Sequence, residues 1–429
     1  MRAYRDFLES KRKSWDGNGE HGVDLFLLPS QLYPWQRAVA AWAARKGRAC
    51  IFADCGLGKT LMQLGWAQTV PGKVLILAPL CVGEQTAEEA RRVGIDAAYV
   101  SSQADVGSRH ISITNYERLH RMDLGQFSGV VLDESSILKS FDGKTRTALI
   151  ETCQPVPYRL CCTATPSPND ISELANHAEF LGLMTRAEFL ATWFVHDDVG
   201  WRMKRHAVRP FYEWMASWAV AFRHPRDLGY EDERFDLPGL EIIDHLVDIG
   251  RPIGGALFPE LGLKGIQGRL AVRQDTVAER VETTAALVDD GESWIVWCGL
   301  NTEADAAVRA IPGAVQVAGK DAYQDKRAAV QGFIDGRIRV LVSKPKILGF
   351  GMNFQHCHSM AFLGLSDSYE TYYQCIRRCF RFGQASTVSA HIVISDAERG
   401  IVSNVRRKES DATKMAGDLL VHLPNEVAA

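Results

Sequence analysis

No apolar run in this chain is long enough to cross a bilayer as a helix. The ten cysteines are scattered and include no CxxC pair, which argues against a zinc ribbon or a disulfide framework and for reduced thiols. The opening "MRAYRDFLESKRKSWDGNGE" lacks the apolar centre of a secretory signal. Together these features predict a cytoplasmic protein with no membrane partner. A basic excess is also missing: the formal net charge is −3, so a polyanionic partner would have to be held by local patches. There is no short repeat and no low-complexity tract.

What is present is ample core material. The 429 residues, 46% hydrophobic and 24% charged, exceed one ordinary domain and suit two of about 200 each. Short β-rich runs alternate with helical patterns, which predicts an α/β fold with mostly parallel sheets. The strand candidates are "ACIFAD", "KVLILAPL", "HISITNY", "GVVLDES" and "YRLCCTATP" in the first half. In the second they are "SWIVWCGL", "AVQVAG", "IRVLVSK", "SMAFLGL" and "SAHIVIS". Five and five predict two similar lobes, residues 1–238 and 239–429, with Pro238 and Gly239 as punctuation. The aromatic and basic stretch of about 180–238 is expected to form a helical insert, its tryptophans packing inward.

One segment has a specific chemistry. In "CIFADCGLGKTLMQ" a strand leads into Gly56 and Gly58, and a helix follows, so backbone N–H groups can wrap phosphates at a helix N-terminus. Lys59 would reach the β- and γ-phosphates of a nucleotide, and the Thr60 hydroxyl would hold Mg²⁺. Further on, "GVVLDESS" places Asp133 and Glu134 at a strand end. A magnesium–nucleotide enzyme needs one carboxylate on the metal and another to polarise the attacking water, and Asp133 and Glu134 suit these tasks in turn. Phosphoryl transfer also gains from a cation on the γ-phosphate. "YYQCIRRCFRFGQ" offers Arg378 and Arg381, three residues apart and expected on one helix face.

The order of these segments resembles that of the superfamily 2 helicases, most closely the Swi/Snf-type DNA translocases in their compact phage and bacterial form. "LYPWQRAVAAW" resembles the glutamine motif, "ADCGLGKT" motif I, "LILAPLCVGEQ" motif Ia and "ITNYERL" motif Ib. "LDESSILKS" resembles motif II, "TATPSPND" motif III, "IVWCGLNTEAD" motif IV, "LGFGMNFQHCH" motif V and "QCIRRCFRFGQ" motif VI. Ser136, Ala164 and His358 stand where the branch usually has histidine, glycine and aspartate. These departures leave the hydrolysis groups in place and bear on how turnover is coupled to movement.

The resemblance implies two RecA-like lobes with ATP and Mg²⁺ between them. It implies a nucleotide set of Gln36 (on the adenine), Gly56, Gly58, Lys59, Thr60, Gln374 and Gly351. It also implies a nucleic-acid track of Thr114, Asn115 and Arg118 in the first lobe and Lys344, Lys346 and Asn353 in the second. Arg202, Lys204 and Arg205 add a basic cluster that would face phosphates. Duplex DNA is the favoured substrate, with single strands or RNA as alternatives, and a separate nuclease or a replication or repair protein would supply the task. A strand-separating helicase and an ATP-gated clamp are the competing readings.

Overall fold

The computed structural model describes residues 17, 24–80, 82–139, 143–198, 200–247, 273–288, 291–349 and 352–428. The chain forms two compact units, Met1–Phe235 with Asp411–Ala429, and Asp236–Ser410. Residues 411–429, grouped by chain order with the second lobe, thus pack with the first unit.

The first unit is built on seven parallel strands. They are β1 (Arg48–Ala53), β2 (Val74–Ala78), β3 (Ala97–Tyr99), β4 (Ile111–Asn115), β5 (Gly129–Asp133), β6 (Tyr158–Cys162) and β9 (Ala219–Phe222), in the order β3-β4-β2-β5-β6-β1-β9. β7 (Phe194–Asp197) and β8 (Gly200–Met203) form a separate antiparallel hairpin. β2, β4 and β5 are buried along their whole length, as expected of parallel strands covered on both faces.

Two apolar cores divide the residues of each strand by alternation. Cys50, Phe52, Leu75, Leu77, Val130 and Leu132 face one core. Ile51, Ala53, Val74, Ile76, Val131 and Cys162 face the other. Helices α1 (Pro34–Lys46) and α2 (Lys59–Thr69) close the second core through Trp35, Trp42, Met62 and Trp66. α3 (Gly83–Arg92) adds Ala87 and Ala90. The opposite core is closed by α4 (Lys144–Cys153), α5 (Leu174–Leu181), α6 (Arg186–Trp193) and α7 (Val208–Met215). Met415, Ala416 and Leu419 add to it from the end of the chain.

Residues 180–238 are less helical than their pattern predicts. They supply the hairpin and β9, which extends the sheet beside β1 with Cys50 opposite Ala219 and Ala53 opposite Phe222. Trp214 and Trp218 are core residues, as expected, with Phe211 beside them, whereas Trp201 on β8 is only partly buried.

The second unit has six parallel strands, β10 (Leu240–Val247), β11 (Trp294–Cys298), β12 (Ala314–Val317), β13 (Val340–Ser343), β14 (Ser359–Leu363) and β15 (Val388–Ser395). Their order is β10-β15-β14-β11-β13-β12. Its helices are α8 (Val277–Leu287), α9 (Asn301–Ala310), α10 (Tyr323–Ile334), α11 (Pro345–Leu348), α12 (Tyr369–Cys379) and α13 (Arg399–Leu420), the last running on past the unit's final residue, Ser410. Beyond the end of β11, the buried Glu303 carboxylate accepts from Arg280 Nη1 at 2.9 Å, Arg273 Nη2 at 3.0 Å and the Gly299 N–H at 2.8 Å. A buried acid is tolerated when charges and N–H groups fill its lone pairs in this way. Parallel α/β sheets of seven and six strands give two RecA-like lobes.

Candidate nucleotide site and nucleic-acid residues

β1 ends at Ala53 and α2 begins at Lys59, so the intervening loop opens directly onto a helix N-terminus. Gly56 and Gly58 hold φ of +87° and +70°, a region where a side chain would strain the backbone. A β-carbon on Gly58 would also stand 2.4 Å from Gln36 Nε2. The loop can turn this tightly only with glycine at that position.

Gln36 is buried at the N-terminal end of α1 and braces the loop from beneath. Its Oε1 accepts from the Tyr33 N–H at 3.0 Å, and its Nε2 donates to the Leu57 carbonyl at 3.1 Å. Both ends of the amide expected on a base are therefore engaged within the unit. Lys59 Nζ lies 3.0 Å from the Ala53 carbonyl and 3.2 Å from that of Asp54. These neutral acceptors hold the ammonium over the loop without neutralising it. Thr60, the next residue, is partly exposed.

Asp133 comes to the same edge of the sheet. It sits opposite Cys162 on β6, and Cys162 sits opposite Ile51 on β1, so the acidic residue and the loop leave the same edge of the sheet from strands on either side of β6. In parallel α/β sheets, ligand sites form at this carboxyl edge. Burial pushes the Asp133 carboxyl up from its ordinary range, opposed by a hydrogen bond from Gln63 and by the Lys59 charge. Gln63 Nε2 donates to Asp133 Oδ1 at 2.7 Å. Gln63 is not among the residues expected at the site. It lies one helical turn beyond Lys59, and that spacing is the only trace it leaves in the sequence.

Glu134 has φ of 53°, the one positive value at a non-glycine position among the described residues. Such a conformation costs on the order of 1–3 kcal/mol and persists only where the surroundings hold it. The Tyr116 hydroxyl donates to the Asp133 carbonyl at 2.6 Å. Thr163 Oγ1 donates to Glu134 Oε2 at 3.3 Å and also accepts from the Thr165 N–H at 3.1 Å. The "TATP" segment thus touches the acidic pair.

In the second unit, the helical offset expected to put Arg378 and Arg381 on one face does not hold. α12 ends at Cys379, and Phe380 leaves helical geometry with φ −81° and ψ 81°. Arg378 is buried: it donates to the Gln374 carbonyl, to Gln374 Oε1 at 2.8 Å and to the Met352 carbonyl at 2.9 Å. Arg381 is partly exposed and donates to Asn353 Oδ1. Gln374 is itself 1% exposed, and Gly351 lies outside the described residues.

The nucleic-acid candidates divide by exposure. Thr114 and Asn115 are fully buried: Thr114 Oγ1 donates to the Val100 carbonyl at 2.8 Å, and Asn115 Nδ2 donates to the Pro79 carbonyl at 3.1 Å. They shape the strand ends and do not present their side chains to solvent. Arg118 is partly exposed, bonded to the Tyr99 hydroxyl at 2.9 Å and Ser101 Oγ at 3.0 Å. Lys346 and Asn353 are exposed and Lys344 is partly so, at the cap of α11. In the basic cluster, Arg202 and Arg205 are exposed, with Arg202 paired to Asp197 at 3.2 Å. Lys204 Nζ instead caps the end of α6, donating to the Ala191 carbonyl at 2.6 Å and that of Thr192 at 3.2 Å.

Residues 279–383 match the model of the helicase conserved C-terminal domain. The matched segment runs from α8 through α12 and includes Gln374, Arg378 and Arg381. No curated protein matches the chain. The match supports a helicase of superfamily 1 or 2, with the ATP use and nucleic-acid binding of such motors. Among the described residues, no helix is long and apolar enough to cross a membrane.

Proposed function

We propose that this chain is an ATP-hydrolysing motor of the Swi/Snf type that translocates on double-stranded DNA in phage or bacterial DNA metabolism. The observation that carries the reading is the convergence of the glycine loop and the Asp133–Glu134 pair on one edge of a parallel sheet, in a chain whose other sheet lies largely within a helicase-family match.

The loop N–H groups and Lys59 bind the phosphates, and the left-handed glycines let the backbone come close enough to do so. Asp133 and Thr60 are the groups that would hold Mg²⁺, a cation that takes one or two carboxylates together with substrate phosphates and water. When bound, the metal neutralises developing phosphate charge. Glu134, carried out of line by its positive φ, orients and deprotonates the attacking water. Thr163 ties that carboxylate to β6, so a change at the phosphates can be felt along the strand. Arg381, with the exposed side of the motif VI segment, is the cation proposed for the transition state. Lys344, Lys346, Asn353, Arg202 and Arg205 are the proposed backbone contacts, which would track phosphates without reading bases.

Steady-state ATPase activity, measured without nucleic acid and then with duplex DNA, single-stranded DNA and RNA, tests the proposal. Strong stimulation by duplex, abolished by Lys59→Ala, is the expected result. Preference for single strands or RNA would replace translocation on duplex with strand separation. Activity indifferent to every nucleic acid would overturn the motor reading.

A further inference from the structure

The strained Glu134 is followed at once by a short 3-10 turn, Ser135–Lys139, and that turn is gripped by a helix outside every motif recognised in the sequence. His177 Nε2 lies 3.1 Å from Ser135 Oγ at the start of the turn. The neighbouring Asn176 donates from Nδ2 to the Leu138 carbonyl at 2.7 Å near its end. Both side chains are completely buried, as are Ser135 and Leu138. The His177 ring also meets Phe52 edge to face, with ring centroids 5.5 Å apart, and Phe52 is the penultimate residue of β1 before the glycine loop.

We propose that His177 and Asn176 are positioning residues for Glu134. They hold the turn that fixes the direction of its carboxylate, and they link that turn to the strand feeding the phosphate loop. Neither residue touches substrate. They act through Glu134, so the inference rests on the role proposed above for that residue.

Three observations support it. A left-handed glutamate requires its neighbours to over-determine it, and α5 supplies two buried side-chain contacts to the following segment. The contacts fall on Ser135 and Leu138, one residue and four residues after Glu134, so a shift in either would be passed directly to the carboxylate. Burial also holds the His177 imidazole down to about 3. Its ring is therefore neutral wherever the enzyme would work, and it places no competing cation behind the acidic pair. A misplacement of about 1 Å in a reacting group can reduce turnover a hundredfold, so contacts of this kind act on rate rather than on binding.

The test compares wild type, Glu134→Gln, His177→Leu, His177→Gln and Ser135→Ala for nucleic-acid-stimulated kcat, ATP KM and thermal midpoint. His177→Leu is expected to lower kcat roughly tenfold or more while ATP KM moves less than about twofold. His177→Gln can place an amide nitrogen near the lost Nε2 and is expected to recover most of kcat. Ser135→Ala removes the partner with little change in volume and keeps the test valid where His177→Leu fails to fold. It should lower kcat in the same way, and the double substitution should fall no further than the worse single. Wild-type kcat in folded Ser135→Ala and His177→Leu overturns the inference and leaves the site reading intact. So does a fall of kcat joined by a raised KM and a lowered midpoint that His177→Gln fails to relieve. Wild-type turnover in Glu134→Gln overturns the site reading and this inference with it.

Discussion

Gly58 and Gln36 share a contact whose energy can be apportioned. At φ +70°, replacing Gly58 by alanine puts a β-carbon into left-handed backbone, at about 1–2 kcal/mol. That carbon would also lie 2.4 Å from Gln36 Nε2, so the amide must leave the Leu57 carbonyl it meets at 3.1 Å. Stranding a buried polar partner costs a further 1–3 kcal/mol, roughly. Gln36→Ala breaks the same bond outright. The two losses therefore overlap, and the double substitution should cost about 1–3 kcal/mol less than the sum of the singles. Urea unfolding without nucleotide measures this, with unchanged slopes showing that the same transition is followed. Additivity within about 0.3 kcal/mol would refute the idea that Gln36 braces the loop through Leu57.

The basic cluster should separate by function: Lys204→Ala lowers stability by about 1 kcal/mol through loss of the α6 cap, seen as a lower thermal midpoint. Replacing Arg202 and Arg205 by alanine leaves the midpoint in place and raises the DNA concentration for half-maximal ATPase; an unchanged value would make the pair ordinary solvated surface. Gln63→Leu removes a donor that lowers the Asp133 pKa, so the acid limb of the pH–rate profile should move to higher pH. His177 predicts a pH dependence of folding. Its folded pKa of about 3 lies below the unfolded value, so from about pH 6.5 downward the unfolded chain binds a proton that the folded chain does not. Stability is lost over that window at up to about 1.4 kcal/mol per pH unit, and urea midpoints at pH 7 and pH 5 should converge for His177→Gln relative to wild type.

The loop and the acidic pair are legible because their chemistry lies in contiguous residues at the ends of fully apolar runs. Besides the β7–β8 hairpin, three strands escape notice, and each breaks that pattern. β3 has three half-buried residues. β10 alternates in burial, as an edge strand does with one side open. β9, "AVAF", lies in an aromatic stretch whose apolar residues fit a helix as well as a strand. Helical spacing puts Arg381 on the face of Arg378 only if the helix runs past Cys379, and the backbone at Phe380 shows that it stops there. Gln63 on Asp133 and His177 on Ser135 are separated by 70 and 42 residues. Their meeting depends on strand order and register, which composition and spacing do not encode.

The return of residues 411–429 to the first unit has a consequence for synthesis. Met415, Ala416 and Leu419 complete one of its cores and Val427 the other, yet they leave the ribosome after the whole of the second unit. At ordinary elongation rates, roughly 10 to 40 seconds separate the emergence of Phe235 from theirs. The second unit is continuous and can close as it emerges, whereas the first unit waits with apolar surface uncovered. The unit made first is the one finished last, and a nascent chain cut short anywhere before Asp411 carries the seven-stranded sheet on a body that has not yet sealed.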